Sequence, residues 1–272
     1  LYRYSAIERP VHELFEGCVQ QTLDATGVQP AEVDAVIFFS STFSSYTDYD
    51  DDVARLCAKL GIRQTLPMGM FLGRCTNYSS ALLVAAALID SHGFDNVMLL
   101  SADALDERRA SRVLARTIAV FSDTVASCLV SRSARTERGC RVEHITHRFE
   151  PGLVNLDPET NLLKFVTLFS GALDRVCADL YVTLGCSGKD FSRLVLANFT
   201  IPTLRNFAMA AGIPAGRMYT ENLARFGHCF AADQLIALDT LSGSGALRAG
   251  DRLLALGVGG NYLFSATAFE KM

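Results

Sequence analysis

The chain carries one strand-and-helix plan twice, and that repetition limits its possible folds more than any other feature. The first copy holds a helix mouth at Leu72-Gly73-Arg74-Cys75-Thr76-Asn77, and the second holds one around Gly227-His228-Cys229. Met98, in the strand after the first mouth, follows Cys75 by 23 residues (98 − 75), and Leu253 follows Cys229 by 24 (253 − 229). The halves therefore read as copies, residues 1–157 and 158–272. Strands alternating with helices predict mostly parallel sheet covered by helices on both faces. Two such copies predict a duplicated α/β/α/β/α layered fold, with its site where the two central helix mouths meet.

Local signals place the elements. Apolar residues at helical spacing from Gly17 to Gly27 lead through Pro30 into a buried strand over Val33–Ser40, and acidic residues at Asp48 and Asp50–Asp52 open a helix running to Gly61. The run Ala81–Ile89 is apolar nearly all round, so its helix is expected to be buried on several sides and to end at His92-Gly93. Strands follow over Asn96–Ala102 and Thr124–Ser131, and a further one lies within Gly139–Asp157. The second copy reads as helix Leu163–Leu184, strand Leu194–Ala197, helix Pro202–Ala211, a short strand Arg217–Thr220, helix Ala231–Leu241, and strands Arg252–Gly257 and Tyr262–Phe269.

Composition narrows the function classes. A net charge of -4 with no long basic run argues against a nucleic-acid partner. No apolar stretch is long enough to cross a membrane and the first residues lack a signal-peptide core, which predicts a soluble, cytoplasmic protein. The eight cysteines form no CxxC pair, and only His144 and His147 stand close together, so neither a disulfide framework nor a metal is expected.

Cys75 is the candidate nucleophile. A thiol at a helix N-terminus meets the positive end of the dipole and unpaired N–H groups, which favour the thiolate. Standing alone it would be read as a buried structural thiol; its place in the repeated motif turns the reading toward catalysis. His228 at the second mouth, standing alone, would be read as a hydrogen-bonded core histidine. Asn198 fits either a structural or a functional role, since Asn commonly bonds local backbone.

These residues resemble the thiolase superfamily, and within it the ketoacyl-acyl carrier protein synthase III branch. Gly73-Arg74-Cys75-Thr76-Asn77-Tyr78 is similar to the family's nucleophile motif, Val120-Phe121-Ser122-Asp123-Thr124-Val125-Ala126 to its Phe-Gly-Asp-Gly-Ala segment, and Arg225-Phe226-Gly227-His228-Cys229-Phe230-Ala231-Ala232 to its Arg-His-Gly-Asn-Thr-Ser-Ala-Ala. The resemblance implies a thiolase-like fold and an acyltransferase without a bound cofactor. Cys75 would take an acyl group from a coenzyme A or acyl carrier protein thioester, with the N–H groups of Cys75 and Gly259 as oxyanion hole. It would then pass the group to a carbon, oxygen or nitrogen acceptor in a specialised fatty-acid or polyketide-like pathway.

Tyr49 falls where the family reaches across a dimer into the partner's pocket, which implies a homodimer or a heterodimer with a homologue. The match departs from the pattern where it matters for condensation. The family's catalytic His position holds Ala197, one residue before Asn198, and its second catalytic Asn position holds His228. Decarboxylating malonyl condensation is therefore in doubt, His228 is expected to take over the base role, and the rival reading is a catalytically silent subunit partnering an active homologue.

Overall fold

A computed structural model describes residues 3–42, 49–63, 65–108, 110–114 and 118–272, save the side chains of residues 49 and 50. Among these residues the helices are α1 (Phe15–Thr26), α2 (Tyr49–Leu60), α3 (Asn77–His92), α4 (Leu162–Leu184), α5 (Ile201–Ala210), α6 (Leu223–Phe226) and α7 (Asp233–Gly243). The strands are β1 (Ala35–Phe39), β2 (Leu66–Met70), β3 (Asn96–Asp103), β4 (Val113–Leu114), β5 (Ala119–Val120), β6 (Thr124–Ser131), β7 (Cys140–Phe149), β8 (Arg193–Leu196), β9 (Arg252–Gly259) and β10 (Leu263–Lys271). The side chain of Tyr49, expected at a dimer pocket, lies outside the described residues.

Two four-stranded sheets run β2-β1-β3-β6 and β7-β10-β9-β8. The uninterrupted apolar run of β1 is buried at every position, because both faces of its sheet are covered. Val36, Phe38, Met98 and Leu100 pack outward on Phe15, Val19 and Leu23 of α1 and on Val53 and Leu56 of α2. Ile37, Phe39, Val97 and Leu99 face inward onto α3 and α7, which meet Leu253, Ala255 and Phe269 of the second sheet on their far side. The outer face of that second sheet, through Leu194, Leu254, Phe264 and Ala266, packs on α4 and α5. The result is five layers, as the all-apolar character of α3 requires of a helix held between two sheets.

Four details differ from expectation. The sheets are mixed: β1 pairs in parallel with β2 and β3, and β8 with β9, but β6, β7 and β10 enter antiparallel. Antiparallel entry needs no crossover helix, and the described residues between β3 and β6 form none. Over Arg217–Thr220 there is only an isolated bridge from Met218 to Leu194 after a 3₁₀ turn at Ala215–Arg217. Strand β2 was not anticipated, since Leu66-Pro67-Met68-Gly69-Met70 combines Pro and Gly in five residues; it lies on a sheet edge, where both are tolerated. β7 precedes residue 158 yet bonds into the second sheet beside β10.

The internal repeat has a different register from that given by the cysteines. A 3₁₀ turn opens each central helix, Arg74–Thr76 before α3 and Phe230–Ala232 before α7, and each turn begins with a non-glycine residue at positive φ, Arg74 at 50° and Phe230 at 54°. From the start of α3 to that of β3 is 19 residues (96 − 77), as from α7 to β9 (252 − 233). Asn77 therefore corresponds to Asp233, and Cys75 to Ala231 rather than Cys229. The helix start sets the register, and His228 sits just upstream of the pseudo-symmetric position.

Candidate active site

The two central helices point their N-termini toward one another, and the turns before them carry the reactive groups. Cys75 is half-buried, in the middle of the turn Arg74–Thr76. Arg74 at φ 50° reverses the chain immediately before it, a conformation that costs a non-glycine residue about 1–3 kcal/mol. Local backbone strain of this kind persists where the surroundings over-determine the turn. Here Gly259 at the end of β9 lies so close that a Cβ on it would stand 2.1 Å from the Gly73 carbonyl oxygen. Glycine at 259 thus lets the end of the second sheet lie against the turn that presents Cys75.

His228 brings its imidazole to the same point, with Nε2 3.7 Å from Cys75 Sγ. Its backbone is clamped from both sides. Its N–H donates to Val120 O (2.8 Å), and its carbonyl accepts from Ser122 N–H (2.9 Å), so the segment Val120-Phe121-Ser122 pairs alongside it. Gly227 precedes it at φ 66°, where a Cβ would meet Val120 O at 2.6 Å, and no other residue fits. The segment is itself anchored by Asp123, which accepts two bonds from Arg112 (2.9 and 3.0 Å) and one each from the N–H groups of Ile7 and Leu105 (both 2.9 Å).

The third member of the constellation is Asp233, the first residue of α7. Its Oδ2 accepts from His228 Nδ1 at 2.5 Å, and both side chains are almost wholly buried. The remaining acceptor capacity of the carboxylate is filled by Cys229 N–H to Oδ1 (2.8 Å), Asn198 N–H to Oδ2 (2.8 Å) and Asn198 Nδ2 to Oδ1 (3.1 Å). The charge stands at a helix N-terminus, where the dipole favours it. Burial by itself would push the His228 imidazole down, but the Asp233 charge and hydrogen bond, helped by Cys75, outweigh it and push the group up to about 10. The Asp233 charge and hydrogen bond thus favour the protonated ring.

Three rings enclose it. Phe121, Phe199 and Phe230 have centroids 5.3, 5.1 and 5.7 Å from the imidazole, and Phe121 stacks on Phe230 at 4.6 Å. Their faces suit a cation and their bulk keeps water from the His228–Asp233 pair.

Of the sequence candidates, Cys75, His228 and Gly259 come together, and Asn198 stands behind them. Asn198 gives its side-chain donors to Gly227 O (2.6 Å) and Asp233 Oδ1, away from the sulfur. Asp233 was missed by sequence reasoning. Its signal was an acid opening a helix that continues Gln234-Leu235-Ile236-Ala237, five residues after His228. Among the described residues no group of three His, Cys, Asp or Glu side chains is placed to hold a metal.

Comparison with known proteins gives relatives and a fold. Residues 183–271 match the family described as 3-oxoacyl-[acyl-carrier-protein] synthase III, C terminal. A beta-ketoacyl-[acyl-carrier-protein] synthase III of Chlamydia trachomatis is 23% identical over 273 residues, covering 93% of this chain and 82% of the relative. Over most of its length the chain is similar to synthase III proteins, and its C-terminal third matches that family. Solved structures give the same fold at low identity. ChlB3, described as an acyltransferase, superposes with a TM-score of 0.85 at 18% identity, covering 98% of this chain and 86% of that one. A Xanthomonas campestris OleA variant with bound lauric acid and lauroyl-CoA does so at 0.80 and 14%, covering 99% and 85%. In this synthase III-like chain no helix among the described residues is long and apolar enough to cross a membrane.

Proposed function

We propose that this chain is an acyltransferase that works through an acyl-Cys75 thioester and hands the acyl group to an oxygen, nitrogen or sulfur nucleophile rather than to a carbanion. The observation that carries the reading is the buried Asp233–His228 pair aimed at Cys75, together with the commitment of both Asn198 amide donors elsewhere. Carbon–carbon condensation from a malonyl thioester needs donors directed at the developing enolate, and removing one such donor typically costs about two to three orders of magnitude. Here Ala197 offers only a methyl group and Asn198 is turned away.

Acyl transfer to a heteroatom needs less. With the proton on His228, the Cys75 sulfur faces a cation and attacks the thioester carbonyl carbon, forming a C–S bond. The N–H groups of Cys75 and Gly259 receive the oxyanion. As the donor thiol leaves, His228 Nε2 gives it the proton, and the neutral imidazole then takes a proton from the acceptor O–H, N–H or S–H as that atom attacks the acyl carbon. The C–S bond breaks and the thiolate–imidazolium pair is restored. Asp233 holds the ring in the tautomer with Nδ1–H and stabilises its charge at each stage. Asn198 serves as a positioning residue for Asp233.

Coenzyme A and acyl carrier protein thioesters are the donors, a reading supported by the carrier-protein synthase relatives and by the lauroyl-CoA seen in OleA. We place the reaction in a specialised fatty-acid or polyketide-like pathway. Intact-mass measurement tests the whole: wild type should gain the acyl mass from an acyl-CoA panel and lose it to an added alcohol, amine or thiol, while Cys75→Ala gains none. Efficient carbon dioxide release from malonyl thioesters with formation of a new carbon–carbon bond would overturn the reading. We also propose a dimer that joins at the edge of β2, supported by the exposed Leu66 on that unpaired side. Sedimentation of a monomer at micromolar concentration would count against it.

A further inference from the structure

We propose that Asn77 is a positioning residue for the nucleophile, the neutral counterpart in the first half of what Asp233 does in the second. The proposal rests on the acyl-Cys75 reading but concerns a residue that reading does not use.

Both residues are the first of their central helix, and both accept from the N–H four residues earlier: Gly73 N–H to Asn77 Oδ1 (2.9 Å) and Cys229 N–H to Asp233 Oδ1 (2.8 Å). Each also bridges to the chain leaving the adjacent parallel strand. By sheet register, Ala35 of β1 lies beside Val97 of β3 as Arg193 of β8 lies beside Leu253 of β9, so Ser40 and Asn198 correspond. Asn77 Nδ2 donates to Ser40 O (2.9 Å), whereas Asp233 Oδ2 accepts from Asn198 N–H (2.8 Å). The strand exit therefore dictates the side chain. A carbonyl presented at Ser40 calls for a donor, which only the amide of an Asn supplies. An N–H presented at Asn198 calls for an acceptor, and the carboxylate that meets it retains capacity for His228.

What the amide fixes is the turn before Cys75. Gly73 has its N–H on Asn77, and its carbonyl accepts from Thr76 N–H (3.0 Å) and Thr76 Oγ1 (2.7 Å), so both ends of this residue are held. A Cβ at 73 would lie 2.5 Å from Asn77 Oδ1, so the close bond exists because residue 73 is glycine. The other end of the bridge is equally firm. Asp103 Oδ1 accepts from Ser40 Oγ (2.9 Å), Ser41 N–H (2.7 Å) and Thr42 N–H (2.8 Å), which pins the segment whose carbonyl Asn77 meets. Arg74 in its left-handed conformation and then Cys75 follow directly. The sulfur's distance to His228 is thus set through Gly73 by Asn77.

The test uses iodoacetamide alkylation of Cys75, located by peptide mass and followed from pH 6 to pH 10, in wild type, Asn77→Ala, Asn77→Asp, His228→Ala and Asn77→Ala/His228→Ala. Asn77→Asp keeps the bond to Gly73 but sets oxygen against the Ser40 carbonyl. Both single Asn77 variants should lower the neutral-pH rate at least about tenfold while changing the rate at pH 10 less than about twofold, the pattern of lost thiolate pairing rather than lost access. Because Asn77 acts through the Cys75–His228 contact, adding Asn77→Ala to His228→Ala should cost less than about a further twofold. Unchanged alkylation in the folded Asn77 variants, full additivity in the double variant, or absence of a cooperative unfolding transition in both Asn77 variants would overturn the proposal. Unchanged alkylation in His228→Ala would instead overturn the pairing of His228 with Cys75, a separate result.

Discussion

The mouths of α3 and α7 are built on one backbone plan and have opposite polarity. At α3 an amide closes the turn and the chemistry belongs to the following 3₁₀ residue, Cys75; at α7 a carboxylate closes it and the chemistry belongs to the preceding residue, His228. Duplication supplied two identical anion-friendly helix starts facing each other. The difference between them, one neutral and one charged, is what the proposed mechanism uses, with the second half as proton donor and the first as nucleophile. A single atom pair at each bracket, nitrogen at Asn77 and oxygen at Asp233, separates a closure of the turn from a closure that also accepts from the His228 ring.

The largest expected effect comes from erasing that difference. Asp233→Asn keeps the shape but replaces an acceptor by a donor facing Asn198 N–H and His228 Nδ1–H, so steady-state acyl transfer should fall by about 10³–10⁴, comparable to wrong-tautomer losses in other triads. Asp233→Ala should also lower the unfolding free energy by about 3–5 kcal/mol in denaturant titration, since it leaves a buried cation unpaired. Turnover within tenfold of wild type in Asp233→Asn would show that the carboxylate only closes the helix, as its counterpart does.

A smaller effect sharpens the roles around it. His228→Ala should lower turnover by at least about a hundredfold, the low end of general-base contributions. Asn198→Ala should cost about tenfold or less, because Asp233 retains the Cys229 N–H, the Asn198 backbone N–H and the His228 ring. Equal losses in the two variants would place Asn198 in the reacting layer instead.

The smallest effect is in stability against pH. His228 is held at about 10, above its ordinary 6.5, so the folded state binds this proton more tightly than the unfolded chain. The stabilisation is fully present below about pH 6.5 and is lost as pH rises through about 10. Unfolding midpoints in denaturant should fall over that window in wild type and fall less steeply in Asp233→Asn. Parallel slopes in the two proteins would contradict the charged pair.

Much of this was legible in the chain itself. The positions of α1, α3, α4, β1, β3, β9 and β10 followed from apolar period and from Gly27 and Gly93, each in the left-handed conformation after its helix. Cys75, His228 and Gly259 were visible because motif and helix start coincide. The register of the repeat was not visible, because it is carried by the φ of Arg74 and Phe230, and neither residue type announces a left-handed turn.

By itself the sequence determined the layered α/β plan and the two helix mouths, and it singled out Cys75 as the candidate nucleophile, because these depend on local periodicity and on motifs at helix ends. Only the tertiary structure decided that Asp233 charges His228, that Asn198 is spent behind it, and that Phe121, Phe199 and Phe230 close around the ring. Those facts depend on which donor meets which acceptor, across five residues for His228 and Asp233, 35 for Asn198 and Asp233, and 153 for Cys75 and His228. Hydrogen bonds, unlike apolar burial, are decided by direction and by distances of a few tenths of an ångström, which no spacing along the chain encodes.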